Sequence, residues 1–170
     1  AALFMAMTTT LIKAEAKGNF DPGIILNRIN HNLCQGNRTN MFVTLVLGML
    51  HLHTGELRFA SGGHNPLLLA RADNRIGYLP VTEDPMLGIL PDAAFKTMKI
   101  TLAPGDLLTA YSDGVTDAIN PERQAFGEER FRQVVGKNRN HSPEMLGKIL
   151  LASIKGYCRQ EPQFDDVTLL

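Results

Sequence analysis

Two acidic clusters at the ends of apolar runs carry the chemistry this sequence offers. In residues 107–117, LLTAYSDGVTD, a strand-like run leads straight into Asp113-Gly114, and near the C-terminus Asp165-Asp166 leads into Val167-Thr168-Leu169-Leu170. A buried strand is a stiff support, and a carboxylate at its end stands at the sheet rim, open to a ligand. If the two runs are neighbouring strands, their carboxylates converge, and oxygen donors of that kind suit a hard cation such as Mg²⁺ or Mn²⁺. Each cluster also has a plainer reading. Asp-Gly by itself favours a turn, because glycine accepts positive φ and aspartate bonds its own backbone. Asp165-Asp166 is equally compatible with a solvated loop, although adjacent carboxylates repel unless something compensates.

The remaining polar candidates are weaker. His64, in SGGHNP, changes charge near neutrality and could carry a proton. Set between two glycines and Asn65-Pro66, it fits a structural loop histidine better. His51 and His53 are spaced to share one strand face, yet no third ligand type lies close in sequence, so they read as surface residues. Ser112 lacks a GxSxG elbow and is not a nucleophile candidate. Cys34 and Cys158 stand far apart without CxxC spacing and read as plain thiols.

The elements that must position these groups follow from periodicity. Phe4, Met7, Leu11 and Ile12 recur at helical spacing up to a stop at Gly18. Asp21-Pro22 supplies an N-cap and a first-turn proline for a second helix, with Ile25, Ile29 and Leu33 as its stripe up to Gly36. MFVTLVLGML, residues 41–50, is almost continuously apolar and predicts the most deeply buried strand. Residues 56–60, 67–69 and 76–79, separated by turn residues, predict an antiparallel meander, and residues 95–102 alternate as a strand with one wet face. Two helices follow the acidic loop: one turns Phe131, Val134 and Val135 inward, the other opens at Ser142-Pro143 and lines up Leu146, Ile149, Leu150, Ile154 and Tyr157. The final strand then returns to a sheet already built.

Composition narrows the class. The 170 residues suit one domain, and 44% hydrophobic content supports a substantial core. Lys and Arg (17) balance Asp and Glu (17), which argues against nucleic acid as a partner. No apolar run approaches the ~20 residues of a membrane span, so the sequence predicts a soluble cytoplasmic domain. The first residues, AALFM, begin inside an apolar helical pattern with no capping residue, as expected of a chain cut within a domain.

Taken in order, AALFMA (1–6), MFVTL (41–45), SGGHNP (61–66), LGI (87–89), GDLL (105–108), YSDGVTDA (111–118), FG (126–127) and DDVTL (165–169) are similar to the motifs of one family. The sequence resembles the bacterial PP2C-like (PPM) serine/threonine phosphatases of the sporulation-phosphatase and stress-response sigma-regulator type over essentially its whole length. The resemblance implies an α+β fold, a β-sandwich of two mainly antiparallel sheets flanked by helices (α-β-β-α), with a binuclear Mn²⁺ or Mg²⁺ site at one edge. It assigns metal binding to Asp113 and Asp165, and to Asp166 at a position where relatives carry Asp or Asn; Gly114, His64 and Asn65 would belong to the surrounding loops. In such a site two ions activate a bridging water for in-line attack on phosphorus, without a phosphoenzyme.

The substrate the resemblance implies is a phosphoprotein such as an anti-sigma-factor antagonist. Some members are instead catalytically inactive scaffolds that bind a sigma-factor regulator. One departure stands out: the family's GDVSGHG-like segment, which carries a further metal-binding aspartate, precedes the AALFMA-like helix and is not in this sequence. Residues 1–170 are therefore expected to be a single phosphatase domain without its N-terminal strands and first metal-binding motif. By itself the chain is expected to bind metal weakly and to be inactive. The parent protein is expected to carry an upstream sensor or response-regulator domain, and a homodimer is compatible with this reading.

Overall fold

The Asp21 carboxylate accepts from the Ile24 amide at 3.1 Å and Pro22 occupies the first turn, so α2 (Pro22–Cys34) starts where its capping residues dictate. In the computed structural model residues 2–18, 20–35, 37–80, 84–159, 161 and 165–170 are described; Ala1 and the expected helix stop at Gly36 lie outside them. The chain divides into two compact units, Ala1–His64 with Val81–Leu102, and Asn65–Pro80 with Ala103–Leu170. Each is a layer of helices on a three-stranded antiparallel sheet, which makes the fold α+β.

The first unit packs α1 (Ala2–Glu15) and α2 against a sheet of order β1-β2-β5, formed by β1 (Leu45–His51), β2 (Glu56–Gly62) and β5 (Met98–Thr101). Ile25, Leu26, Ile29 and Leu33 of α2 are fully buried, with Phe4, Val43, Ala60, Leu87 and Phe95 around them. Met7, expected on the apolar stripe of α1, is exposed, whereas Thr8 is buried and returns its hydroxyl to the Phe4 carbonyl at 2.8 Å. Asparagines on and after α2 hold the irregular chain beyond residue 84. Asn30 donates to the Leu90 carbonyl at 2.8 Å and accepts from the Gly88 amide at 2.9 Å, while Asn27 donates to the Phe95 carbonyl and accepts from the Phe95 amide.

The expectation for β1 needs correction. It has one paired neighbour, β2, and its residues are half-buried or exposed; residues 41–44 are not strand, apart from the single bridge of Val43 to Leu87. The more buried strand is β2, which lies between β1 and β5 and is covered along most of its length. An apolar run records a preference for burial, but the number of neighbours decides how much of it is realised.

The second unit holds β3 (Leu68–Ala70) between β4 (Ile76–Tyr78) and β6 (Leu107–Thr109). The expected meander is thus broken, because β2 and β3 belong to different sheets. At the end of β2, Gly63 has φ +66°, and a side chain there would press on the backbone of Met86, so the turn requires glycine. On the second sheet lie α4 (Gly127–Asn138) and α5 (Pro143–Cys158), the latter capped by Ser142, whose Oγ accepts from the Met145 amide at 3.3 Å. Phe131, Val135, Leu146, Leu150 and Ile154 meet Leu68, Tyr111 and Val115 in one core, as the helical stripes predict.

Candidate functional site

The returning C-terminal segment lies beside residues 110–112, which lead from β6 (Leu107–Thr109) to Asp113. Ala110 and Leu170 exchange two backbone hydrogen bonds of 3.0 Å, Tyr111 bridges Leu169, and the Ser112 amide donates to the Thr168 carbonyl at 3.1 Å. The Ser112 side chain adds a splice of its own: Oγ donates to the Asp166 carbonyl at 2.8 Å and accepts from the Thr168 amide at 2.9 Å. Sequence reasoning set Ser112 aside because it is no nucleophile, and so missed this positioning role. The available signal was a small hydroxyl directly before Asp-Gly.

Asp113 is not the last residue of a strand, as expected, but the first of the short helix α3 (Asp113–Thr116), with β6 ending four residues earlier. The helix is pinned by Val115, which is fully buried. Gly114 lies under the C-terminal segment: a Cβ there would collide with the Asp166 carbonyl oxygen and lie 3.1 Å from that of Asp165. Only glycine lets the two acidic loops approach this closely. Both loops carry the same local bond, Asp113 Oδ1 accepting from the Gly114 amide at 2.9 Å and Asp165 Oδ1 from the Asp166 amide at 2.7 Å. Asp113, Asp165 and Asp166 are all exposed. Two segments some 50 residues apart in sequence are therefore held against each other at Ser112 and Gly114, with Asp113, Asp165 and Asp166 exposed beside the contact.

The loop candidates separate. Asn65 donates through Nδ2 to the Tyr111 carbonyl at 3.5 Å, which ties it to the chain two residues before Asp113. His64 belongs to the other compact unit and is half-buried, its carbonyl accepting from Ser61 Oγ at 3.4 Å. His51 and His53 are exposed, and the His51 ring engages Thr54 Oγ1 at 2.9 Å, consistent with surface residues.

Asp106, in the turn before β6, anchors the entry to the same strand. Burial alone would raise its pKa, but the Ala103 and Ala72 amides and the Arg71 guanidinium at 2.8 Å outweigh it and hold the carboxyl below its ordinary value. Tyr111, within the core, packs against Phe131 with ring centroids 4.3 Å apart and the planes tilted by 42°. Its buried hydroxyl meets no acceptor or donor within strict hydrogen-bond geometry among the described residues, and burial, with the Tyr78 hydroxyl nearby, drives its pKa far upward.

As a metal site the arrangement is partial. Exposed carboxylate oxygens are the right donors for Mn²⁺ or Mg²⁺. Among the described residues, however, no three His, Cys, Asp or Glu side chains group closely enough to hold an ion. The donor type fits and the donor number falls short.

Comparison with known proteins agrees with this architecture. The solved SiaA-PP2C domain of Pseudomonas aeruginosa superposes with a TM-score of 0.84 over 99% of this chain and 68% of that one, at 23% sequence identity. The fold is that of a bacterial PP2C-like phosphatase domain. The model of the family Stage II sporulation protein E (SpoIIE) matches residues 1–170, and the chain belongs to that family. Among curated relatives, Protein IcfG of Synechocystis sp. is 30% identical over 130 residues, 76% of this chain and 20% of that protein. Phosphoserine phosphatase RsbU of Bacillus subtilis is 26% identical over 117 residues, 69% of this chain and 35% of that protein. The chain thus spans a fifth to about a third of the curated relatives it matches. No helix among the described residues is long and apolar enough to cross a membrane.

Proposed function

We propose that residues 1–170 are one catalytic domain of a metal-dependent serine/threonine protein phosphatase. The observation that carries this reading is the adjacency of the Asp113 and Asp165-Asp166 loops through Gly114 and Ser112. Asp113 and Asp165 would hold Mn²⁺ or Mg²⁺, with Asp166 beside them and further ligands from outside the described residues. Bound ions of this kind supply an acidified water for attack on phosphorus. The chain's own part is positional: Val115 and the Ser112 splice fix the two loops, and Gly114 sets their separation. The relative named phosphoserine phosphatase supports phosphoserine as the target. The substrate class we propose is a phosphorylated anti-sigma-factor antagonist in the cytoplasm, with an upstream sensor or response-regulator domain governing activity.

The test is Mn²⁺-dependent phosphate release from a phosphoserine peptide by the full-length protein and its Asp113→Asn variant. Release abolished by the substitution supports the enzyme. Equal turnover by both proteins overturns the role of Asp113. No release by either, with no Mn²⁺ binding, leaves a scaffold that binds a sigma-factor regulator.

A further inference from the structure

A cavity of about 250 Å³ opens in the second unit beside the acidic loops. Gly114 and Val167 form part of its wall, and they are the chain neighbours of Asp113 and Asp166. Ile119 and Leu151 are among its apolar lining residues, and Lys155 and Arg159 from the end of α5 stand in its lining as well. The volume is below the roughly 300–1,000 Å³ of pockets that enclose drug-sized molecules, and it suits a side chain better than a whole small ligand. Charge adds a second preference, for negative charge on the segment that carries this side chain: the two cations outweigh the one lining carboxylate, Glu161, and the contact of Arg159 with Glu122 is long, 3.9 Å, between exposed groups.

We propose that this cavity is the specificity subsite of the phosphatase, taking an apolar side chain of the substrate segment close to its phosphorylated residue. This rests on the phosphatase reading above. Lys155 and Arg159 attract the negative charge of the same segment. An extended chain advances about 3.3–3.6 Å per residue, so a phosphoserine delivered to Asp113 brings its near neighbours to a cavity whose wall begins at Gly114. Apolar burial in the cavity then selects among phosphoproteins that the carboxylate edge alone treats alike.

The experiment uses the full-length protein with Mn²⁺ and three substrates: a phosphoserine peptide with leucine next to the phosphoserine, the same peptide with glycine there, and p-nitrophenyl phosphate, which has no flanking chain. The unmodified protein is expected to favour the leucine peptide over the glycine peptide by about three- to tenfold in kcat/KM, chiefly through KM. Leu151 is 40% exposed and Lys155 is exposed, so Leu151→Ala and Lys155→Glu disturb the cavity without removing core residues. Each variant is expected to lower the ratio of leucine-peptide to p-nitrophenyl phosphate kcat/KM by a similar factor, and Lys155→Glu also to weaken the salt dependence of the peptide KM. An unchanged ratio in both variants overturns the subsite while the phosphatase reading stands. Peptide and p-nitrophenyl phosphate rates falling in step also overturn it, since the wall would then be structural. No turnover of any substrate by the unmodified protein overturns the phosphatase reading and the subsite with it.

Discussion

The Oγ of Ser112 donates to the carbonyl oxygen of Asp166 at 2.8 Å and itself accepts from the amide of Thr168 at 2.9 Å. One short side chain thereby joins the loop that carries Asp113 to the loop that carries Asp165. Ser112→Ala is expected to lower stability by about 1–2 kcal/mol, read from the urea midpoint. It is also expected to weaken Mn²⁺ binding and peptide turnover in the full-length protein more than that loss of stability explains. Unaltered metal affinity would show that the splice serves folding alone.

Gly114→Ala tests the separation of the loops. The added methyl meets the Asp166 carbonyl, so the C-terminal segment must shift or the helical turn must give. We expect destabilisation of about 1–3 kcal/mol and loss of Mn²⁺-dependent activity in protein that remains folded by circular dichroism.

Asn30 lies at 0% exposure and serves both the Gly88 amide and the Leu90 carbonyl. Replacement by alanine strands the buried Gly88 amide and leaves the Leu90 carbonyl, on an exposed residue, to water, at a cost of about 1–3 kcal/mol. Thermal unfolding reports it, and a change under 1 kcal/mol would mean that water replaces the amide.

Tyr111→Phe is expected to act in the opposite direction. Among the described residues the buried hydroxyl makes no hydrogen bond of good geometry, Tyr78 being its nearby polar neighbour, so its removal relieves a desolvation cost while the ring keeps its contacts with Phe131. Stability should hold or rise by up to about 1 kcal/mol. A clear loss in denaturant titration would reveal a hydrogen bond through bound water.

Asp106 gives the pH dependence a sign. Its folded pKa lies below the unfolded value of about 3.9, so its contribution to stability is complete above that value and is lost as the pH falls through the folded one. Asp106→Asn should lower stability at neutral pH and flatten the decline below about pH 4. Urea midpoints across the acid range measure both effects.

What the sequence determined by itself is the set of features governed by short-range physics. Asp21-Pro22 and Ser142-Pro143 start helices because their side chains and fixed φ satisfy the first-turn amides within three residues. Ile25, Ile29 and Leu33, or Leu146, Leu150 and Ile154, face inward because a helix repeats every 3.6 residues whatever lies opposite. The acidic pair Asp113 and Asp165 is legible in family motifs beside apolar runs, but not its setting: Asp113 opens α3 instead of ending a strand, and the adjacency of the two loops is a condition the sequence can state but not test. Tertiary structure decided which strands are neighbours. It placed β2 and β3 in different sheets, left β1 with one paired side, and brought residues 165–170 against 110–114. Hydrogen bonds between strands form across any sequence separation and carry no local signature, so an apolar run announces a strand without naming its partner. The same holds for Ser112 and Gly114, whose roles come from a segment some 50 residues away.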